Sequence, residues 1–273
     1  CPGGCASGGR LPRPAPQSDD EILLRTAACG ICSGDLMEWY LAKKVGTVLG
    51  HEVVGYAVEV GPRIEHIKRG QLVFVHHHAP CMRCTYCAKG HFVHCKVWKE
   101  SRIDPGGMAE YIRVPSEIAS TDCFPIDDLS PEVGLFIEPL ACSVKCLLMA
   151  RPHEADLGII VGCGVMGLLN IAVAKALGTK KVWAVEPDPW RREMAKLFGA
   201  DDIFAPAELS KDARADYVVV GPGHPDVINS SLASVRPGGA LLLFTPTPAG
   251  VRTDLDLGDL YFKEIRILPS YSC

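Results

Sequence analysis

Two textures of apolar and polar residues meet near residue 129. Before it, apolar runs come singly and each is closed by glycine or proline. They cover residues 21–28, residues 53–60 before Gly61-Pro62, residues 71–76 after Lys68-Arg69-Gly70, and residues 107–114 before Pro115. Short strands cut by such turns predict a β-rich domain, barrel-like in type. Residues 1–20, rich in Gly, Pro and polar side chains, predict loop. Beyond residue 129 the pattern changes. Ser130-Pro131-Glu132 has the form of a helix start, with the hydroxyl at the cap and proline at the first position. The helix is predicted to run through Glu138 and Cys142 to Leu148. Apolar strand runs then follow at 157–161, 181–185, 217–220, 240–244 and 265–268, with helical stretches between them. That alternation predicts an α/β domain with a parallel, doubly wound sheet and crossover helices. The expected division is residues 1–145 and 146–273.

Composition narrows the function classes. The chain has 273 residues, of which 48% are hydrophobic and 22% charged, enough for two ordinary domains. A formal charge of −4 offers nothing to attract nucleic acid or an anionic membrane surface. No apolar run approaches the roughly 18 residues that span a bilayer. The start, Cys1-Pro2-Gly3-Gly4-Cys5, lacks the charged and apolar regions of a signal peptide and has no initiator Met, so a fragment of a longer chain is expected. The 13 cysteines would suggest disulfides in a secreted chain. Four of them instead have a metal spacing, which implies a reducing compartment, the cytoplasm.

Those four are Cys81, Cys84, Cys87 and Cys95, three at intervals of three and the last eight further on. Four thiolates can close a tetrahedral Zn²⁺ site with no open position, the mark of a structural rather than a catalytic ion. The lobe at 81–95 is not a nucleic-acid module. Arg83, Lys89 and the adjacent Lys96 are its permanent cations, too few for a basic stripe. His76, His77 and His78, just upstream, are read as surface or core histidines.

The first strand of the second domain runs into Gly162-Cys163-Gly164-Val165-Met166-Gly167. This Gly-x-Gly-x-x-Gly turn follows an apolar strand and opens a helix. The next strand ends at Glu186, at the distance the dinucleotide fingerprint requires. The first glycine permits the tight turn, the second lets a pyrophosphate approach the backbone, and the third lets helix and strand pack closely. The pyrophosphate would sit at the helix N-terminus. Glu186 would take the hydroxyls of the adenosine ribose and repel a 2′-phosphate, which favours NAD over NADP. Arg191 and Arg192 argue the other way, since a nearby arginine can hold that phosphate.

A third constellation lies between Cys32 and Glu52. Cys32-Ser33-Gly34-Asp35, an aromatic segment through Trp39 and Tyr40, and Gly50-His51-Glu52 bring a thiolate, an imidazole and a carboxylate within two dozen residues. About three such ligands, with a fourth position left for water or substrate, make a catalytic zinc site.

In that order, the Cys/His/Glu cluster, the four-cysteine lobe and the dinucleotide domain resemble the zinc-dependent medium-chain dehydrogenases, from about Glu21 onward. Ile137-Glu138-Pro139-Leu140 is similar to the sorbitol (polyol) and threonine dehydrogenase branch, which carries a Glu-Pro motif where liver-type alcohol dehydrogenases carry a cysteine ligand. The resemblance implies a GroES-like domain followed by a Rossmann domain, and two zinc ions, one catalytic and one structural. It implies Cys32 and His51 as catalytic-zinc ligands and Glu52 as a direct or exchangeable one. Glu138 would be a ligand or a partner of the zinc-bound water, and Cys142 the alternative third ligand. Asp35 would orient His51 from behind. The activity implied is hydride transfer between NAD and a secondary alcohol of a polyol, sugar or amino alcohol, by a homo-oligomer, dimer or tetramer. The rivals are an NADP-dependent or zinc-lacking reductase and a non-catalytic cofactor-binding protein of the same fold.

Two departures stand out. The family reads Cys-Gly-Ser/Thr-Asp, with the hydroxyl relaying the substrate proton. Here Ser33 and Gly34 are transposed, and Met37 replaces a frequent histidine, so Ser33 or ordered water is left as the proton path. The chain also stops soon after the last sheet strand, so a return segment covering the cleft is expected to be missing.

Overall fold

The computed structural model describes residues 8–273. Of the predicted amino-terminal loop, residues 1–7 lie outside the described residues, and residues 8–20 carry no helix or strand. The chain divides into two compact units, Cys1–Glu138 and Pro139–Cys273.

The first unit is built on β1 (Ile22–Gly30), β2 (Glu52–Val60), β3 (Leu72–Val75), β4 (Tyr111–Val114) and β5 (Cys123–Pro125), in the antiparallel order β4-β1-β2-β3-β5. Strand β1 opens with Ile22, Leu23 and Leu24, all at most 1% exposed, which suits an inner strand covered on both faces. One face packs Ile22, Leu24, Val53, Val73, Val75 and Ile112 into the main core. The other face packs Val54, Leu72 and Phe74 under Ile126, Leu135 and Ile137. Around the sheet lie α1 (Glu38–Leu41), α2 (Lys96–Glu100), α3 (Ser116–Thr121) and α4 (Pro131–Gly134). The longer α5 (Ile137–Leu148) carries the chain into the second unit.

Three differences from the sequence pattern have local causes. Strand β4 is shorter than the predicted 107–114, because Gly107 and Met108 donate to the carbonyls of Gly50 and Leu49 instead of joining the ladder. Strand β5 has three residues, too few to show a period. The helix predicted from Ser130 to Leu148 is two helices. Ser130 does cap the first, its hydroxyl accepting from the Val133 N–H, with Pro131 at the first position. Gly134 then packs so closely that a Cβ would lie 2.6 Å from Ile126 and 2.9 Å from Val54. The turn that follows lets Leu135 and Ile137 reach the sheet.

The second unit is a six-stranded parallel sheet of β6 (Leu157–Val161), β7 (Lys181–Val185), β8 (Asp202–Phe204), β9 (Ala215–Val220), β10 (Val235–Leu243) and β11 (Arg266–Pro269). Its order is β11-β10-β9-β6-β7-β8. Crossover helices α6 (Val165–Ala176), α7 (Pro189–Leu197), α8 (Pro225–Leu232) and α9 (Leu257–Lys263) separate the strands. The chain winds outward from β6 in one direction, then restarts at β9 in the other. This is the dinucleotide-binding order, with its switch point between β6 and β9. Both faces are buried, one around Ile160, Ala184 and Val219 and the other around Ile159, Val185 and Val218. Continuous apolar strands of this kind belong to a sheet covered on both sides. Strand β8, short and half polar, is the one parallel strand that the apolar pattern does not show. Among the described residues no helix is long and apolar enough to cross a membrane.

Gly158 on β6 pairs with Tyr217 on β9, and the fully buried Tyr217 ring covers it. The ring is fixed by a 2.8 Å hydrogen bond between its hydroxyl and that of Thr179. A Cβ at residue 158 would overlap the ring. Overpacking of this kind costs roughly 1–3 kcal/mol. Gly158→Ala is therefore expected to lower the urea midpoint of the second unit by that amount of stability, and an unchanged midpoint would show that the ring moves freely.

Candidate functional site

The first site follows from one antiparallel register. Strand β1 ends at Gly30 and β2 begins at Glu52, and these two residues face each other. Whatever the chain does between them, it must return to within strand spacing, so Cys32 just past β1 meets His51 and Glu52 at the start of β2. Their ligand atoms, a sulfur, an imidazole nitrogen and a carboxylate oxygen, lie within 4.8 Å of one another. Glycines make the fit possible. A Cβ on Gly30 would overlap the Glu52 carboxylate. Gly50 has φ +95°, and a Cβ there would lie 2.6 Å from Cys29 Sγ and 2.7 Å from the Met108 nitrogen.

The intervening segment brings Asp35 underneath. Residues Ser33–Leu36 form a 3-10 turn, capped by the Gly34 N–H donating to Cys32 Sγ at 3.4 Å. Asp35 is buried, and its Oδ2, which has no hydrogen bond of its own, lies 3.4 Å from His51 Nδ1. Its other oxygen accepts from Lys44 Nζ at 2.8 Å. The predicted orienting carboxylate is thus beside its histidine. Ser33 is exposed in the same turn, and Gly34 lies close behind the sulfur.

The electrostatics suit a cation. Burial pushes the Cys32 thiol up to about 11; the Gly34 N–H opposes this, and Glu52, Glu138 and Asp35 add to it. Burial also raises the Glu52 carboxyl. For His51, burial lowers the pKa, Asp35 works against that, and Lys44 and His76 add to the lowering, so the imidazole stands in the neutral form that binds metals. A thiol and a carboxyl whose ionisation burial opposes, beside a neutral imidazole, are a donor set that a divalent ion would complete, and the residue types fit Zn²⁺. Glu138, buried at the start of α5, is near enough to act on the Cys32 thiol but stands outside the three-residue group. Cys142 lies one helical turn further along α5, half-buried, in the second unit.

The second cluster is the lobe. Cys81, Cys84, Cys87 and Cys95 gather with all four sulfurs within 4.8 Å. Cys84 and Cys87 are 3.5 Å apart, and the Cys81 N–H donates to Cys95 Sγ at 3.3 Å. Burial opposes ionisation of Cys95, yet backbone N–H groups of Cys81 and Trp98 hold its pKa down to about 6. Val93 and Trp98 form the lobe's apolar centre. None of the four thiols is in a disulfide.

The histidine run is buried or half-buried, within its reading as surface or core histidines, but its rings also reach the candidate metal site. His76 is buried and its Nδ1 is 2.9 Å from Asp122 Oδ2. His77 packs on the metal-site histidine, with the His51 and His77 ring centroids 4.9 Å apart, and its Nδ1 is buried with no partner. His78 stacks on from His77 at 4.3 Å and reaches Trp98 of the lobe at 4.4 Å. Lys44 was marked by no local pattern, and the histidine run did not show that His77 would pack on His51. They reach the site through folding.

The third site lies at the switch point of the parallel sheet. Gly162, at φ +87°, turns the chain out of β6, and Gly164 begins α6. A Cβ on Gly167 would overlap the Gly162 carbonyl, so the third glycine is what allows helix and strand to touch. A Cβ on Gly164 would meet nothing within 4 Å, which is the open approach a pyrophosphate needs. Val165 and Met166 form the first turn of α6, with Val165 exposed. Glu186 directly follows β7 and is buried. Its Oε2 accepts from the Cys163 N–H at 2.7 Å and its Oε1 from the Asp188 N–H at 2.9 Å. The carboxylate therefore spans the glycine turn and the start of α7. Of the two arginines, Arg192 is used locally, donating to the carbonyls of Glu186 and Pro187. Arg191 is exposed and acts electrostatically on Cys163 in the turn.

Comparison with known proteins identifies the family of both parts of the chain. Residues 18–128 match the alcohol dehydrogenase GroES-like domain, and residues 165–273 match the zinc-binding dehydrogenase domain. The chain is similar to L-threonine 3-dehydrogenase of Pyrococcus abyssi, 34% identical over 262 residues, covering 90% of this chain and 73% of that one. It is similar to the probable D-xylulose reductase A of Aspergillus clavatus, 31% identical, covering 83% and 69%. Its fold is similar to that of a zinc-binding dehydrogenase from Sinorhizobium meliloti 1021 solved with NADP, with TM-score 0.85 and 27% identity, covering 96% and 80%. With both domains matched and relatives above 30% identity across most of their length, the chain belongs to the zinc-dependent medium-chain dehydrogenases, in the polyol and threonine dehydrogenase branch, and is an NAD(P)-dependent oxidoreductase of CH–OH groups.

Proposed function

We propose that this protein oxidises a secondary alcohol, carried on a polyol, sugar or amino alcohol, with NAD as its preferred acceptor, at a zinc held by Cys32, His51 and Glu52. The observation that carries the reading is the convergence of those three ligand atoms beside a buried carboxylate–histidine contact. A zinc held by these residues would supply Lewis acidity toward the alcohol oxygen, and NAD held at the glycine turn would supply the hydride acceptor. The protein's own groups do the rest. Asp35, 3.4 Å from His51 Nδ1, would hold the His51 ring in orientation, leaving its other nitrogen available to a metal. Glu138 adds a carboxylate near Cys32, as ligand or as partner of bound water. Ser33, exposed in the 3-10 turn, is the hydroxyl left to pass the proton to solvent. The Cys81, Cys84, Cys87 and Cys95 lobe would hold a second, structural zinc.

Relatives named for threonine and arabinitol dehydrogenation and for xylulose reduction support the substrate class, since threonine and arabinitol offer a secondary alcohol flanked by a second polar group and xylulose is the ketone of such a polyol. NAD is favoured because the Glu186 carboxylate borders the glycine turn, where a 2′-phosphate would meet its charge. The exposed Arg191 is what supports NADP instead. The described cysteines are free thiols, which supports the cytoplasm as compartment. Exposed Leu257, Tyr261 and Phe262 on α9 support a homo-oligomer, dimer or tetramer.

Metal analysis should find two zinc ions per chain, and Cys32→Ser should lose about one while the lobe keeps the other. A single ion, retained in that variant, would remove the catalytic site. Glu186→Ser should erode the preference for NAD by ten-fold or more, since a hydrogen bond to a charged group is worth roughly 1.5–3 kcal/mol. It should also weaken both cofactors together, because the glycine turn loses its Cys163 anchor. A protein that uses NADP better before mutation would assign the site to Arg191. In turnover assays on a panel of polyols and amino alcohols, Glu138→Ala should be strongly impaired and Cys142→Ala mildly so. The reverse ranking would make Cys142 the third ligand.

A further inference from the structure

Lys44 has no place in the chemistry so far, yet its position is built. Its backbone is fixed in a turn, with its N–H on the Leu41 carbonyl at 2.8 Å and its own carbonyl accepting from Thr47 N–H and hydroxyl. Its side chain is held twice. The ammonium lies 4.3 Å from the centre of the Tyr40 ring, a cation–π contact. It also donates to Asp35 Oδ1 at 2.8 Å. The Asp35 side chain is 2% exposed and that of Lys44 27%, so the pair is screened from water at the carboxylate end. The other Asp35 oxygen is the one that faces His51. Asp35 therefore stands between a fixed cation and a metal-site histidine.

The charge count shows why a cation is needed. Asp35, Glu52 and Cys32 are packed closely enough that Asp35 acts on both of the others. With those three groups ionised, a divalent metal leaves at least one negative charge over, and more with the buried Glu138 that acts on Cys32, so the ammonium of Lys44 offsets part of the excess beside Asp35. A buried carboxylate without a paired charge is costly. An unpaired Asp35 would turn toward solvent or other donors and release His51. We propose that Lys44 is a positioning residue for the metal centre, holding Asp35 in place so that Asp35 can fix His51 as a ligand. The inference rests on Cys32, His51 and Glu52 being metal ligands, as proposed above.

The test is zinc affinity rather than turnover. The zinc-loaded full chain is titrated with a chromophoric chelator, with release from the four-cysteine lobe as internal reference. Lys44→Met is expected to weaken the more labile zinc by about 10–100-fold, the range for partners that orient metal ligands. It should leave the lobe ion unchanged. Lys44→Arg, which keeps the cation, is expected to recover most of the loss, and the recovery excludes simple misfolding. Asp35→Asn should weaken the same ion, and adding Lys44→Met to it should change little further, because the two act as one unit. Full affinity in Lys44→Met, or losses that add in the double variant, would overturn the role of Lys44 alone. Release of only the lobe zinc from the unmodified protein would instead overturn the ligand assignment, and the role of Lys44 with it.

Discussion

The first unit depends on the pairing of β1 with β2. The ladder from Ile22↔Val60 to Gly30↔Glu52 fixes both ends of a long excursion, and the excursion carries most of the metal-site chemistry. A strand register is strongly specified when its faces are buried, because a slip of one residue turns every side chain to the wrong side. Here Leu24, Val53 and Val54 are fully buried, so the hydrophobic core of the sheet also sets the spacing of Cys32, His51 and Glu52. Gly30 and Gly50 are the local consequence. A site this close to a strand pair has no room for side chains on the two residues that bracket it.

The two candidate metal clusters of that unit are joined by a chain of packed rings. A run of rings, His51, His77, His78 and Trp98, with centroid separations of 4.9, 4.3 and 4.4 Å, leads from one to the other. Trp98 is buried in the apolar centre of the lobe. The four-cysteine lobe thereby does more than close a loop. Its Trp98 packs on His78, which in turn packs on the His77 ring beside His51.

In the second unit the constraint is the order of the parallel strands. Restarting the sheet at β9 leaves the ends of β6 and β9 side by side with their connections running in opposite directions, and the glycine turn sits in that gap. A Cβ on Gly162 would lie 3.0 Å from Pro222 beyond β9, while one on Gly164 would meet nothing within 4 Å. Glu186 joins the turn to the next βα connection through two backbone N–H groups. The residue that would read the ribose also keeps the turn in shape, which ties cofactor choice to cofactor affinity.

The sequence alone was enough to find the strands at 157–161 and 181–185, the helix cap at Ser130, the four-cysteine spacing and the glycine turn with its acidic partner. These are local signals, set by apolar period, turn chemistry or ligand spacing, and local physics writes them into neighbouring residues. It did not show β5 or β8, which are too short to carry a period, nor the break between α4 and α5, which arises where Gly134 packs on Val54 and Ile126. The metal group was legible as residue types in Cys32, His51 and Glu52, but their convergence within 4.8 Å came from the β1–β2 register. The contacts of Lys44 with Asp35 and of His77 with His51 were invisible for the same reason. Each joins residues at least nine positions apart, through an ion pair or a ring contact, and only the tertiary fold decides which distant side chains meet.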